Sequence, residues 1–64
     1  MVRINGSDID AAGKTLDVYL KEADIDRTRI AVEINGKILP KADYGEYVFA
    51  DGDNCEIVNF VGGG

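Results

Sequence analysis

The chain has 64 residues, room for one domain with one small core, since a protein of this size buries only about 60% of the surface its unfolded form exposes; a deep enzyme cleft is not expected. Seven Lys and Arg against twelve Asp and Glu give a net charge of -5, which disfavours nucleic acid and anionic membrane surfaces and favours a basic protein partner. A single cysteine and the absence of histidine exclude an internal disulfide and any metal site of His and Cys ligands.

The opening Met1-Val2-Arg3-Ile4-Asn5-Gly6 lacks the long apolar stretch of a signal peptide, and no later run reaches membrane-spanning length. A cytoplasmic, reducing location is expected. Asn5-Gly6, set between Val2-Ile4 and Ile9, has the composition of a tight hairpin turn that needs positive φ, so the chain is predicted to begin with a β-hairpin. From Thr15 to Ala23 the apolar period changes: Leu16, Tyr19, Leu20 and Ala23 fall on one helical face, with Asp17, Lys21 and Glu22 facing away. Thr15 suits the N-cap, and Asp17 suits the positive end of the helix.

The polar run Asp24 to Arg29 ends the helix, with Ile25 as an apolar anchor, and Ile30, Val32 and Ile34 then alternate with Ala31, Glu33 and Asn35 as a half-buried strand does. Asn35-Gly36 signals a second hairpin into Lys37-Ile38-Leu39, a short strand closed by Pro40 and placed at a sheet edge. Lys41 to Glu46 is expected to be a loop or one helical turn. Tyr47-Val48-Phe49 then re-enters the core before Asp51-Gly52-Asp53-Asn54 turns the chain into a final strand, Cys55 to Val61.

A helix between the first hairpin and the later strands must cover one face of a single sheet. The compact solution is an α+β β-grasp, the ubiquitin-like roll: a mixed sheet of four to five strands packed on one helix. Residues 1–61 are expected to form its one domain, and residues 62–64 a flexible glycine tail. In that arrangement the last strand lies beside the first and runs the same way, so the tail projects from the sheet.

Period-two alternation separates Cys55, Ile57, Asn59 and Val61 from Glu56, Val58 and Phe60. Cys55 and Ile57 are assigned to the core, which leaves Val58 and Phe60 exposed near the tail as a docking patch, beside Ile38 or Glu33 of the neighbouring hairpin. The opposite phase would exchange the two sets. Cys55, with no His or Lys beside it and with Glu56 opposing a thiolate, reads as an apolar filler. Tyr19, Tyr44 and Tyr47 read as core and rim packing. The pairs Asp8 and Asp10, Asp24 and Asp26, and Asp51 and Asp53 read as solvated turn acids; no calcium loop or phosphate loop is present, and no catalytic side chain is assigned. Gly62, Gly63 and Gly64 leave the terminal carboxylate sterically open and able to thread a narrow cleft, which makes Gly64 the chemically distinctive position.

The segments Val32-Glu33-Ile34-Asn35-Gly36-Lys37-Ile38-Leu39-Pro40 and Cys55 to Gly64, with Tyr44 and the Asp-Gly-Asp turn between them, resemble the thiamine-pathway sulfur carrier family, ThiS, over nearly the entire chain. The resemblance implies a β-grasp protein that is a co-substrate and not an enzyme. Gly64 would be adenylated and then converted to a thiocarboxylate, with Gly62 and Gly63 threading the tail. It implies no cofactor on the carrier itself, and ATP and Mg used by a ThiF-like adenylating enzyme. The further partners would be thiazole synthase and a sulfurtransferase or cysteine desulfurase, and the free carrier would be a monomer. The alternatives are a carrier for molybdopterin or another pathway, a ubiquitin-like modifier, and a passive binding module. Small subunits of molybdopterin synthase tend to carry prolines before the terminal glycines, where this chain has Asn59-Phe60-Val61.

Overall fold

A computed structural model describes residues 1–60. Five strands form one mixed sheet: β1 (Val2–Ile4), β2 (Ser7–Ile9), β3 (Ile30–Ile34), β4 (Lys37–Leu39) and β5 (Asn54–Asn59), in the spatial order β2-β1-β5-β3-β4. One helix, α1 (Leu16–Glu22), covers one face. This is the β-grasp arrangement, with β1 and β5 parallel and β5 antiparallel to β3 at the centre. The edges are β2 and β4, the second ending at Pro40 as its missing donor requires.

Both Asn-Gly turns form as expected. Asn5 and Gly6 have φ of 50° and 83°, and Asn35 and Gly36 have φ of 52° and 84°, the left-handed pair that matches hairpin twist. Thr15 caps α1, its hydroxyl accepting from the Val18 N–H at 3.2 Å. The helix ends one residue earlier than the apolar period suggests. Ala23, assigned to the buried face, is the exposed C-cap, because Asp24 turns left-handed at φ 59°. The Ile25 N–H then reaches back to the Leu20 carbonyl at 2.8 Å and that of Asp24 to Lys21 at 3.2 Å, closing a Schellman motif with Ile25 packed on the core.

Leu16 and Leu20 of α1 meet Val2, Ile4, Ile30, Val32, Ile34 and Cys55 from the inner sheet face, with Ala11, Tyr44 and Phe49 closing the sides. Fully burying each large aliphatic stabilises the fold by about 1.5–3 kcal/mol. Residues 41–43 make a single 3₁₀ turn that delivers Tyr44 to the core. Arg27 sits over the Tyr44 ring at 5.2 Å and donates to Asp17 and to the Lys41 carbonyl, both at 2.9 Å. Asp17, read as facing away from the core, is therefore half-buried and ties the helix to the two turns that follow it.

Tyr47-Val48-Phe49 returns to the core as expected for Tyr47 and Phe49 but not for Val48. This segment lies antiparallel to residues 13–16, through a Thr15–Val48 bridge and hydrogen bonds of 2.9 Å from Leu16 to Tyr47 and from Phe49 to Lys14. Its alternation turns Phe49 and Tyr47 inward, edge-on to each other, and leaves Val48 exposed. Among the described residues no helix is long and apolar enough to cross a membrane.

Candidate functional site

The strand that leads to the glycines is held very differently along its length. At its start, Asp53 is buried at 8% exposure, which corrects its reading as a solvated turn acid. Its carboxylate accepts from the Tyr47 hydroxyl, from the Ala50 N–H at 2.9 Å and from the Asn35 amide at 3.0 Å. Burial works against the charged carboxylate, but these three donors outweigh it and hold its pKa below the ordinary value. Across the hydrogen bond, burial first and then Asp53 push the Tyr47 phenol up to about 12.

Two turn asparagines brace β5 from opposite sides. Asn35 exchanges hydrogen bonds with Asn54, its N–H donating to the Asn54 carbonyl at 2.7 Å and its side-chain oxygen accepting from the Asn54 N–H at 2.9 Å. Asn5 does the same one step further along: its N–H donates to the Cys55 carbonyl at 2.9 Å, while its side-chain amide both accepts from the Ile57 N–H at 2.7 Å and donates to the Ile57 carbonyl at 3.1 Å. The Asn5 side chain thus stands in for a peptide group and extends the parallel ladder past the end of β1. Sequence reasoning treated both asparagines only as turn formers. The signal available was the choice of Asn in place of Asp or Gly, since only the amide both donates and accepts.

Beyond Ile57 the strand pairs with β3 alone. Ala31 lies opposite Val58 and Ile30 opposite Asn59, and the Phe60 N–H donates to the Arg29 carbonyl at 2.8 Å. The phase of β5 is the one expected: Cys55 is fully buried and Ile57 packs on the core, whereas Val58 is 59% and Phe60 49% exposed. Burial, then Glu56, then Asp53 push the Cys55 thiol up to about 11, so it is a packed thiol and a poor nucleophile. Ile38 is 76% exposed, and Glu33 lies between it and Glu56 in the ladder. Val58 with Ala31, and Glu56 with Glu33 and Ile38, therefore form neighbouring rows on the face turned away from α1. The positions Val61, Gly62, Gly63 and Gly64 lie outside the described residues.

A cleft of about 440 Å³ at the end of α1, lined by Lys21, Asp24, Ile25 and Arg27 among others, includes no residue of β5.

Comparison with known proteins places this geometry. The model of the ThiS family matches residues 2–64. The sulfur carrier protein ThiS of Bacillus subtilis is 35% identical over the full length of both chains. A thiazole synthase of Paramagnetospirillum magneticum is 42% identical over 95% of this chain and 19% of its own length. The chain thus spans about a fifth of that relative, and likewise of a thiazole synthase from Magnetococcus marinus. Among solved structures, the thiamine biosynthesis protein ThiS of Geobacter metallireducens superposes with a TM-score of 0.76 at 28% identity, covering 98% of this chain and 97% of that one. Matched from Val2 to Gly64, and sharing both length and fold with these carriers, the chain belongs to the ThiS family.

Proposed function

We propose that this protein is a sulfur carrier of thiamine biosynthesis in which the carboxylate of Gly64 is the group acted upon. The family match, which runs through the terminal glycines, is the observation that carries the reading. The protein is a co-substrate: a ThiF-like enzyme spends ATP, with Mg, to adenylate Gly64 and release pyrophosphate; a persulfide on a sulfurtransferase or cysteine desulfurase then displaces AMP to form an acyl disulfide, and a thiol reductant cleaves its S–S bond to leave the thiocarboxylate. A carboxylate is a poor electrophile until adenylation supplies a leaving group, and the adenylate survives only in a close-fitting pocket that excludes water. Gly62 and Gly63, without side chains, suit entry into such a pocket.

Thiazole synthase is the acceptor's enzyme. The relatives that bear that name contain a stretch similar to nearly all of this chain within a protein about five times longer, which supports a working association between carrier and synthase. The exposed pair Val58 and Phe60, next to the tail, is the surface on which the partners dock.

Intact mass after incubation with ATP, magnesium, the activating enzyme and a cysteine-derived sulfur source tests the proposal. The expected gain is one sulfur in place of one oxygen, absent when Gly64 is deleted. Gly63→Val and Gly64→Val should abolish activation with unchanged thermal unfolding; normal activation of a folded Gly64→Val protein would contradict the mechanism.

A further inference from the structure

Register brings two carboxylates together on the open face. Glu33 on β3 and Glu56 on β5 are direct partners in the antiparallel ladder, and both are exposed. Like charges directly opposite each other destabilise a sheet, whereas Glu opposite Lys would stabilise it. Among the described residues neither carboxylate has an ion pair. Four of the seven Lys and Arg are ion-paired elsewhere, Arg3 with Asp8, Lys14 with Glu22, Arg27 with Asp17 and Arg29 with Asp26, while Lys41 donates to the Thr28 carbonyl and Lys21 lies on α1, across the sheet from this face. Lys37, opposite Ile34, belongs by register to the other face.

Apolar side chains flank the like-charged pair on its β4 side and toward the end of β5, while Asn54 and Arg3 lie on its β1 side. Ile38 is the β4 partner of Glu33, Val58 lies two positions beyond Glu56 on the same side of β5, and Phe60 lies two further. All three are about half exposed or more. Folding alone gains nothing from this arrangement, but a partner that covers the aliphatic side chains and sets one cation between the carboxylates would cancel the repulsion and bury the apolar surface together. The flat fork of a guanidinium, with five donors, can serve two carboxylates at once.

We propose that the adenylating enzyme, docking on this face through Val58 and Phe60, seats an arginine across Glu33 and Glu56, with Ile38 packed beside it. The proposal rests on the carrier reading and adds the charge that selects the partner.

The test pairs stability with affinity. Glu33→Gln/Glu56→Gln, Glu56→Lys and Phe60→Ala are compared with the wild-type protein by thermal unfolding and by calorimetric titration with the ThiF-like enzyme at low and high salt, and the wild-type mass shift is recorded alongside. The double Gln variant should unfold at an equal or higher temperature yet bind at least tenfold more weakly, with a flattened salt dependence. Glu56→Lys, which gains a cross-strand ion pair with Glu33, should be more stable still and bind about a hundredfold more weakly. Unchanged or tighter binding by both charge variants overturns the arginine contact. If the wild-type mass shift persists in that case, the carrier reading stands without it. Unchanged binding by Phe60→Ala as well removes this face as the docking surface. A wild-type protein that neither binds nor gains sulfur ends both proposals.

Discussion

The two halves of β5 differ in what holds them. From Asn54 to Ile57 the strand is braced on both sides, by Asn35 and Asn5, and of its inward side chains Cys55 is buried and Ile57 half-buried against the core. From Val58 to Phe60 it pairs with β3 alone and presents apolar side chains to solvent. The first half spends its polar groups within the protein; the second leaves its apolar groups for another. On the proposed docking role of Val58 and Phe60, stability and recognition occupy successive segments of one strand, and mutations should separate them.

The sharpest test of that separation is Asp53→Ala. It removes the acceptor shared by Tyr47, Ala50 and Asn35, and stranded donors at a buried site should lower unfolding stability by about 3 kcal/mol in urea titrations. Once the variant is folded, its affinity for the activating enzyme should match the wild type. Phe60→Ala should do the reverse, weakening binding by about 2 kcal/mol and leaving the urea midpoint in place. A fall in stability comparable to that of Asp53→Ala would erase the distinction between the halves.

Asn5→Gly keeps the left-handed turn, which Asn5 adopts at φ 50°, and removes the amide that completes the ladder at Ile57, at the junction of the two segments. A loss of about 1 kcal/mol is expected, with faster hydrogen exchange at the Ile57 amide than at Cys55. The smallest effect is that of pH. Because the folded pKa of Asp53 lies below its unfolded value, its contribution is complete above about pH 4–5 and is lost as pH falls through the lowered folded value. The Tyr47 phenol shifts the other way. Its contribution is complete below about pH 10, the ordinary phenol value, and is lost as pH rises through about 12. Tyr47→Phe should remove that alkaline loss in a series of urea midpoints against pH.

Local chemistry made much of this protein legible. Asn-Gly dipeptides require left-handed backbone, the Leu16–Leu20 spacing requires a helix, and Pro40 cannot donate to a ladder, so both hairpins, α1 and the β4 edge followed from the residues themselves. The phase of β5 was legible as well, because Cys55 and Ile57 alternate with Glu56, and a carboxylate without a partner stays in water. Membership of the family was visible in the segments around Asn35-Gly36 and Cys55 to Gly64.

Other features depend on residues far apart in the chain, and only the tertiary structure decided them. Asn5 lies 52 positions from Ile57, and nothing near Asn5 indicates that its amide completes another strand's ladder. Asp53 resembles any turn acid until Tyr47 and Asn35 arrive from two other segments. Val48 and Ala23, apolar at positions that the local pattern favours for burial, are exposed because the segment after Tyr44 pairs with the start of α1 and Asp24 unwinds its end. Glu33 and Glu56 become neighbours only through the register of β3 on β5. Periodicity and turn chemistry act over a few residues, so they determine which elements form. Which side chains meet depends on strand register, which is settled when the whole core closes.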